Sequence, residues 1–225
     1  MKIVDRNTGK RLKETDPVVP GAGKDLTSIE NSPMDPPDAY EGGVEGQEKT
    51  ELPEALKQFT NRFPEINKIL DALEKEFGEF VTGGYQFTEG FNSALTTFFK
   101  FYDDDLLPFL QLEQKTLFPI LHQKLMKSGE HSPAEDPKTA VDIMEDDYVK
   151  TIQLGTLLFN FLGLSSRLRD EQARMFVLET AGGNARELIE LVRLNIFRKE
   201  NVLYPLAVKT LSEEEMEELQ SKFGE

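Results

Sequence analysis

The chain has 225 residues, and its 26 basic and 41 acidic residues give a formal net charge of −15. A surface with this excess of negative charge repels phosphate backbones, which argues against nucleic-acid binding. The absence of cysteine excludes a disulfide framework and a thiolate metal site, while 38% apolar residues, including 16 Phe, suffice for a sizeable core.

The sequence shows no targeting or membrane segment. No apolar run follows the first six residues, so a signal peptide is not expected. Even the apolar stretch Thr156–Leu162 is too short to cross a bilayer. We therefore expect a cytoplasmic protein that does not act at a membrane.

Residues 1–51 are predicted to form an irregular N-terminal arm. They contain five of the 12 Pro and six of the 16 Gly, in segments such as Ser32–Tyr40 that exclude regular helix. Such an arm either moves freely or lies over the surface of the domain that follows.

Helical periodicity begins at Leu52, and residues 52–225 are predicted to form one domain. The first apolar face passes Pro64 and ends at Gly83-Gly84. The second passes Pro108, where a kink is expected, and ends at Ser128-Gly129. The first face comprises Leu56, Phe59, Phe63, Ile66, Leu70, Leu73, Phe77 and Phe80, and the second comprises Phe91, Leu95, Phe98, Tyr102, Leu106, Phe109, Glu113, Leu117 and Ile120.

Two further helices complete the pattern. The third is predicted to start with Asp136 as its N-cap and Pro137 in its first turn. The fourth starts near Asp170, continues through Gly182-Gly183, and precedes a short terminal helix with a capping box at Ser212. The third face comprises Met144, Tyr148, Ile152, Gly155, Phe159 and Leu162, and the fourth comprises Leu188, Leu191, Asn195, Lys199, Val202 and Leu206.

Four amphipathic segments without convincing strands predict an all-α fold, an antiparallel up-down four-helix bundle with a short C-terminal helix. Polar residues that interrupt the apolar faces are candidate site residues, because bundle sites are built from inward-facing side chains. They are Glu113, Tyr148, Asn195 and Lys199.

Two phrases in the chain share a pattern of key residues four apart followed by an apolar-aromatic-Pro sequence that is expected to end the helix. They are Phe109–Pro119 and Asn195–Pro205. With Phe63-Pro-Glu-Ile66, Asp147-Tyr148 and the tail Leu211–Leu219, they resemble the hemerythrin-like, HHE cation-binding family over roughly residues 52–219.

The resemblance implies a bundle whose histidines and two carboxylates hold a non-haem di-iron centre. The histidine positions fall on Phe63, Phe109, Tyr148 and Asn195, and the carboxylate positions fall on Glu113 and Lys199. Phe cannot coordinate a metal, and Lys is cationic at neutral pH. The iron site is therefore predicted to be lost, and no cofactor is expected.

The two carboxylate positions would face each other across the core, so we predict a buried ion pair between Glu113 and Lys199. The alternative is that the ammonium group of Lys199 reaches solvent. Phe63, Phe109 and Tyr148 are expected to fill the core, or else to line a small apolar pocket to which Asn195 and Tyr148 contribute polar contacts.

The remaining candidate ligands form no convincing site. His122 lies about half a turn from the inner face, and His131 lies in a loop. Neither this pair nor any other residue pattern predicts an enzyme.

We therefore expect a metal-independent interaction, regulatory or small-ligand-binding module, whose partner is a protein or a small apolar molecule. The alternative is a cation- or iron-binding protein, for metal storage or oxygen or redox sensing. It would bind non-haem iron or another divalent cation through the residual carboxylates Glu113, Asp103, Asp104, Asp105 and Glu200.

Overall fold

The computed structural model describes residues 51–133, 135 and 137–222. All regular structure in these residues is helical, which confirms the predicted all-α class. The predicted N-terminal arm, apart from Glu51, lies outside the described residues. Within those residues, no helix combines the length and the apolar character needed to cross a membrane.

The first apolar face forms two helices instead of one. Helix α1 spans Glu54–Thr60 and helix α2 spans Phe63–Thr82. The break precedes Pro64, which occupies the first turn of α2, where its missing N–H leaves no hydrogen bond unmade. Helix α2 ends at Gly83, as predicted, and the next residue, Gly84, adopts a φ of +74°.

The second segment is one long helical rod that contains a π-helical turn. Helix α3 spans Glu89–Phe101, the first π-turn spans Tyr102–Leu106, and helix α4 spans Leu107–Ser128. The N–H of Leu107 donates to the carbonyl of Tyr102, five residues earlier. This wider turn directly precedes Pro108 and accommodates it within the rod.

Of the two ends predicted for this segment, the stop at Leu117-Phe118-Pro119 is wrong and the end at Ser128-Gly129 is confirmed. Helix α4 continues through Pro119, which is an exposed residue. The helix ends at Gly129, which adopts a φ of +79°. Packing of the residues on either side of Pro119 compensates for the lost hydrogen bond. Phe118 and Leu121 are both buried in the core.

Helix α5 spans Ala140–Ser165 and begins three residues later than predicted. Its N-cap is Thr139, whose side chain forms a capping box with Asp142. The predicted N-cap, Asp136, lies outside the described residues.

The fourth segment begins with Asp170 as its N-cap, as predicted. Helix α6 spans Glu171–Arg198 without a break at Gly182-Gly183, the second π-turn spans Lys199–Leu203, and helix α7 spans Tyr204–Thr210. The predicted end at Leu203-Tyr204-Pro205 is wrong, because the π-turn carries the rod past Pro205. The predicted capping box of Ser212 opens helix α8, Glu213–Ser221.

The long segments pack against one another in a defined order. Helix α2 contacts α3 and α6, α5 contacts α6 along most of its length, and α4 contacts both α5 and α7. Helix α1 contacts α8. The buried apolar residues form one cluster that draws on each of these helices.

The inner face of α5 differs by about one residue from the prediction. Phe159, predicted to lie inside, is 62% exposed, while Leu154 and Leu158 are buried in its place. Tyr148 is half-buried, and its neighbour Asp147 is buried. The reason is that residues 151–166 carry no charge, so more than one stripe along this helix is apolar enough to face the core.

The second π-turn changes which residues face inward after Lys199. The helical periodicity predicts Val202 and Leu206 on the inner face, but both are only partly buried. Leu203 and Ala207 are buried in their place. One extra residue in the turn rotates everything that follows by about 100° relative to a regular α-helix.

Candidate functional site

The centre of the candidate site is an ion pair inside the core. The ammonium group of Lys199 donates to the Oε2 atom of Glu113, and the two side chains are 1% and 0% exposed. Glu113 lies in the second turn of α4, and Lys199 is the first residue of the second π-turn. The predicted pair is confirmed, and the ammonium group does not reach solvent.

A third buried group, the hydroxyl of Tyr204, forms a hydrogen bond with the ion pair. The hydroxyl of Tyr204 donates to the other carboxylate oxygen of Glu113 over 2.7 Å. Both oxygens of this carboxylate therefore have a donor, which is the condition under which a buried charge is tolerated. In the part of the chain that the structure describes, no buried side-chain nitrogen or oxygen lacks a hydrogen-bond partner.

The sequence did not predict the role of Tyr204, because it lies five residues after Lys199. In a regular α-helix that spacing places two side chains on different faces. In the π-turn, the N–H of Tyr204 donates to the carbonyl of Lys199, and this i to i+5 bond brings both side chains to Glu113.

Burial raises the pKa of the Tyr204 hydroxyl well above its usual value, and the nearby Glu113 carboxylate raises it further. A negative charge on the phenol would be poorly solvated and would face another negative charge. Tyr204 therefore stays protonated, and remains a donor, over the ordinary pH range.

Aromatic rings enclose the ion pair. Phe63 lies 6.3 Å from Phe109 and 6.2 Å from Tyr204 between ring centroids, and Phe59 lies 6.0 Å from each of the same two rings. The Nζ atom of Lys199 lies 5.1 Å from the centroid of Phe109, within range of a cation–π interaction. Phe63 and Phe109 thus fill this region of the core, as expected.

Asn195 belongs to a separate polar cluster with a residue that was not among the predicted site residues. Its Nδ2 atom donates to Asp147 over 3.3 Å, and Arg198 donates to the same carboxylate over 2.8 and 3.1 Å. Asp147 was part of the Asp147-Tyr148 phrase, but the predicted stripe selected Tyr148. The presence of Arg198 three residues after Asn195 was the available signal for an acidic partner.

The other candidate cation ligands do not converge on Glu113. Asp103, Asp104 and Asp105 are exposed on the first π-turn, and Glu200 is exposed on the second. Among residues 51–133, 135 and 137–222, no group of three or more His, Asp or Glu side chains has an arrangement suited to a metal ion.

The two histidines also lie apart from the ion pair. The Nδ1 atom of His122 lies 3.1 Å from the hydroxyl of Thr139 and 3.4 Å from Asp142, so it supports the N-terminal cap of α5. His131 is exposed and its ring bonds to the carbonyl of Ser132.

The donor set of this site does not fit the iron centre that the resemblance implies. Phe63 and Phe109 carry no donor atom, and the ammonium group of Lys199 would repel a divalent cation. Glu113 has both of its oxygens engaged by Lys199 and Tyr204. The arrangement instead neutralises charge and fixes the relative position of α4, α6 and α7.

Comparison with known proteins identified no matching family model, no matching curated protein and no matching solved structure. The resemblance to hemerythrin-like proteins therefore remains an interpretation of the residues themselves.

Proposed function

We propose that this protein is a hemerythrin-like four-helix bundle that has lost its di-iron site and acts as a metal-independent interaction module without enzymatic activity. The observation that carries the proposal is the buried Lys199–Glu113 pair, to which Tyr204 adds a second donor. An ammonium group supplies positive charge at the position where the resemblance would place a metal.

The packing order of the helices supports the bundle. Helix α2 contacts α3 and α6, α6 contacts α5, and α5 contacts α4, which continues the rod that α3 begins. This order of contacts is the one expected of a four-helix bundle in which four rods enclose one core.

The two π-turns support the interpretation that this core derives from a functional site. Such turns are rare inside α-helices and occur frequently at functional sites. One begins at Lys199, and the other begins at Tyr102, whose buried hydroxyl donates to the carbonyl of Thr151 over 2.9 Å. Both turns place a polar group inside the core.

The filled core favours protein interaction over the binding of a small apolar ligand. Rings of Phe59, Phe63, Phe109 and Tyr204 pack against one another, with centroid separations between 6.0 and 6.3 Å. A ligand in this region would have to displace these side chains. A partner on the surface would not.

The test is the metal content of the full chain expressed in iron-supplemented medium without chelator. We expect no stoichiometric metal, and a thermal melt that a chelator leaves unchanged, because no metal contributes to folding. Stoichiometric iron with a visible oxo-iron absorption would overturn the proposal and favour redox or oxygen sensing.

Weak binding of a hard cation is the second candidate. The three consecutive carboxylates Asp103, Asp104 and Asp105 are exposed and form no ion pair within the described part of the chain. If they bind calcium or manganese, saturating metal should raise the melting temperature by mass action, and neutralising Asp104 should remove the effect.

A further inference from the structure

The outward face of α5 differs in charge from the rest of the chain. Charged residues make up 30% of the sequence, yet residues 151–166 contain none. Several large apolar side chains of this segment are exposed: Leu157 is 42% exposed, Leu164 43% and Phe159 62%. On a chain of net charge −15, this segment is an uncharged, partly apolar surface.

One stripe along this face has opposite charges at its two ends. Its residues follow one another at intervals of three or four and are all exposed; they are Asp146, Val149, Gln153, Leu157, Asn160, Leu164 and Arg167. Such spacing places the residues from Asp146 to Leu164 on one side of α5, and Arg167 lies in the turn that follows the last helical residue, Ser165. We call this set the α5 stripe.

Neither of the charged residues at the ends of the α5 stripe forms a close ion pair with another described residue. Asp146 is 78% exposed and its one ion pair among the described residues, with Lys138, is long at 3.9 Å. Arg167 forms no ion pair within the described part of the chain. The stripe is therefore acidic at one end, uncharged in the middle and basic at the other.

We propose that the α5 stripe is the contact surface of a homodimer, in which α5 of one copy lies antiparallel to α5 of a second copy. In a two-fold symmetric interface the same patch meets itself. An uncharged patch can do so without repulsion, whereas the acidic remainder of this surface cannot. This inference names the partner for the interaction role proposed above and so rests on that proposal.

The terminal charges select the antiparallel arrangement. With the two-fold axis near Leu157, Asp146 of one copy lies opposite Arg167 of the second copy, at both ends of the contact. A parallel arrangement would place each charge opposite its own equivalent. Juxtaposition of like charges at an interface costs several kcal/mol, so the antiparallel register is preferred.

The area of the α5 stripe determines how strongly the two copies are expected to associate. The stripe is about 30 Å long and about 10 Å wide, or roughly 300 Å² per copy, at the helical rise of about 1.5 Å per residue. Helix α6 lies along α5 and exposes 71% of Phe176, which enlarges the surface. The total stays below the roughly 800 Å² per partner of stable complexes, so a weak, concentration-dependent dimer is expected.

Sedimentation equilibrium of the full chain, from about 5 to about 500 μM, tests the proposal directly. We expect a reversible monomer–dimer equilibrium with a dissociation constant on the order of tens of micromolar. Leu157→Glu should weaken it at least about tenfold, because it places two carboxylates beside the two-fold axis. A protein that stays monomeric over the whole range would overturn the proposal.

The matched control is Val81→Glu, which makes the same change of charge at a residue that is 40% exposed on α2. It should leave the equilibrium unchanged, and equal effects of the two variants would refute the assignment of this surface. Circular dichroism verifies that both variants fold. A monomer without metal would reject the dimer alone, whereas iron in the protein would reject the proposed loss of the metal site.

Charge reversal tests the register. Arg167→Glu should weaken the dimer by bringing two acidic groups together at each end, and adding Asp146→Arg should restore much of the affinity. An absence of rescue in the double variant would reject the antiparallel arrangement.

Discussion

Lys199 donates to Glu113 across the core, although 86 residues separate them in the sequence, and neither side chain is more than 1% exposed. The pair joins the second π-turn to the second turn of α4. A buried pair of this kind contributes little net stability, since the cost of removing both charges from water offsets their attraction. Its effect is that removal of either charge leaves the other buried without a counter-charge.

Replacement of Lys199 by Met should therefore destabilise the fold by about 3–5 kcal/mol, because Glu113 is left buried without its counter-charge. Urea denaturation of the full chain measures this loss. If the Lys199→Met variant is as stable as wild type, Glu113 does not need the ammonium group of Lys199 as its counter-charge.

The double variant Lys199→Met/Glu113→Leu is the control for this prediction. Apolar side chains of similar volume often replace a buried ion pair with no loss, or with a gain of about 1–4 kcal/mol. We expect the double variant to recover most of the stability that the single variant loses. If it is no more stable than Lys199→Met, the defect is one of packing.

Tyr204→Phe should cost about 1.5–3 kcal/mol, the usual contribution of a hydrogen bond to a charged group. It removes the 2.7 Å bond to Glu113 and leaves the ring contacts with Phe59 and Phe63 in place. Tyr148→Phe is the matched control, since the half-buried Tyr148 makes no hydrogen bond with its hydroxyl in the described residues. Equal melting temperatures of the two variants would contradict the prediction.

Alkaline pH should destabilise the protein through its buried phenols. Burial raises the pKa of both Tyr102 and Tyr204, and the charges of Asp103 and Glu113 add to the respective shifts. A raised pKa in the folded state gives stability that is present below the unfolded value of about 10 and is lost as pH rises above it. Tyrosinate absorbance should show these two groups ionising only with unfolding; earlier ionisation would contradict their burial.

Gly155→Ala should destabilise the contact between α5 and the first π-turn. A Cβ atom at this position would lie 2.3 Å from the hydroxyl oxygen of Tyr102 and 2.4 Å from its Cζ atom. Tyr102 would have to move away from the carbonyl of Thr151, at a cost of about 1–3 kcal/mol or more.

Gly183→Ala is the control for this prediction, because a Cβ atom there would meet no atom within 4 Å. The position lies inside α6, where Ala is about 0.8–1.0 kcal/mol more favourable than Gly. The two substitutions should therefore shift the melting temperature in opposite directions. If both substitutions shifted the melting temperature in the same direction, the missing side chain at Gly155 would not be what leaves room for Tyr102.

Acid should weaken the N-terminus of α5 through Asp142. Burial alone would raise the pKa of this carboxyl, but hydrogen bonds from the amide and hydroxyl of Thr139 and the proximity of His122 lower it below 3.8. A lowered pKa gives stability that is present above the unfolded value and is lost as pH falls through the folded value.

Asp142→Asn should accordingly cost about 0.5–2 kcal/mol at neutral pH, the usual range for a capping interaction. The difference from wild type should begin to diminish below about pH 4, where the carboxyl of the unfolded chain takes up a proton, and should vanish only below the lowered pKa of the folded state. Stability curves from pH 7 to pH 3 test this, with Glu145→Gln on the exposed face of α5 as the control. A constant difference across this range would contradict the role of the charge.

Much of the fold was predictable because local rules decide it. The helix ends at Gly83 and Gly129 and the starts at Asp170 and Ser212 depend on backbone freedom and capping side chains within a few residues. The Glu113–Lys199 pair was predicted from the resemblance to hemerythrin-like proteins, which implies that these two positions face each other across the core, and a buried charge requires a partner of opposite sign.

The face of α5 was not predictable to one residue. One possible stripe runs through Tyr148 and Phe159, and the next runs through Asp147 and Leu158. Because residues 151–166 carry no charge, both stripes are largely apolar, and hydrophobic periodicity does not distinguish between them. Packing against α4 and α6 made the choice, and it brought Asp147 to Asn195 and Arg198.

The sequence by itself determined the all-α class, the helix caps and the presence of an isolated acid and base at inner positions, because these follow from local chemistry. Only the tertiary structure decided the two π-turns and the third member of the ion pair. A π-turn replaces α-helical hydrogen bonds with poorer ones, so it forms where contacts with other helices compensate. Here those contacts are the bonds that Lys199 and Tyr204 make to Glu113 and the bond that Tyr102 makes to Thr151.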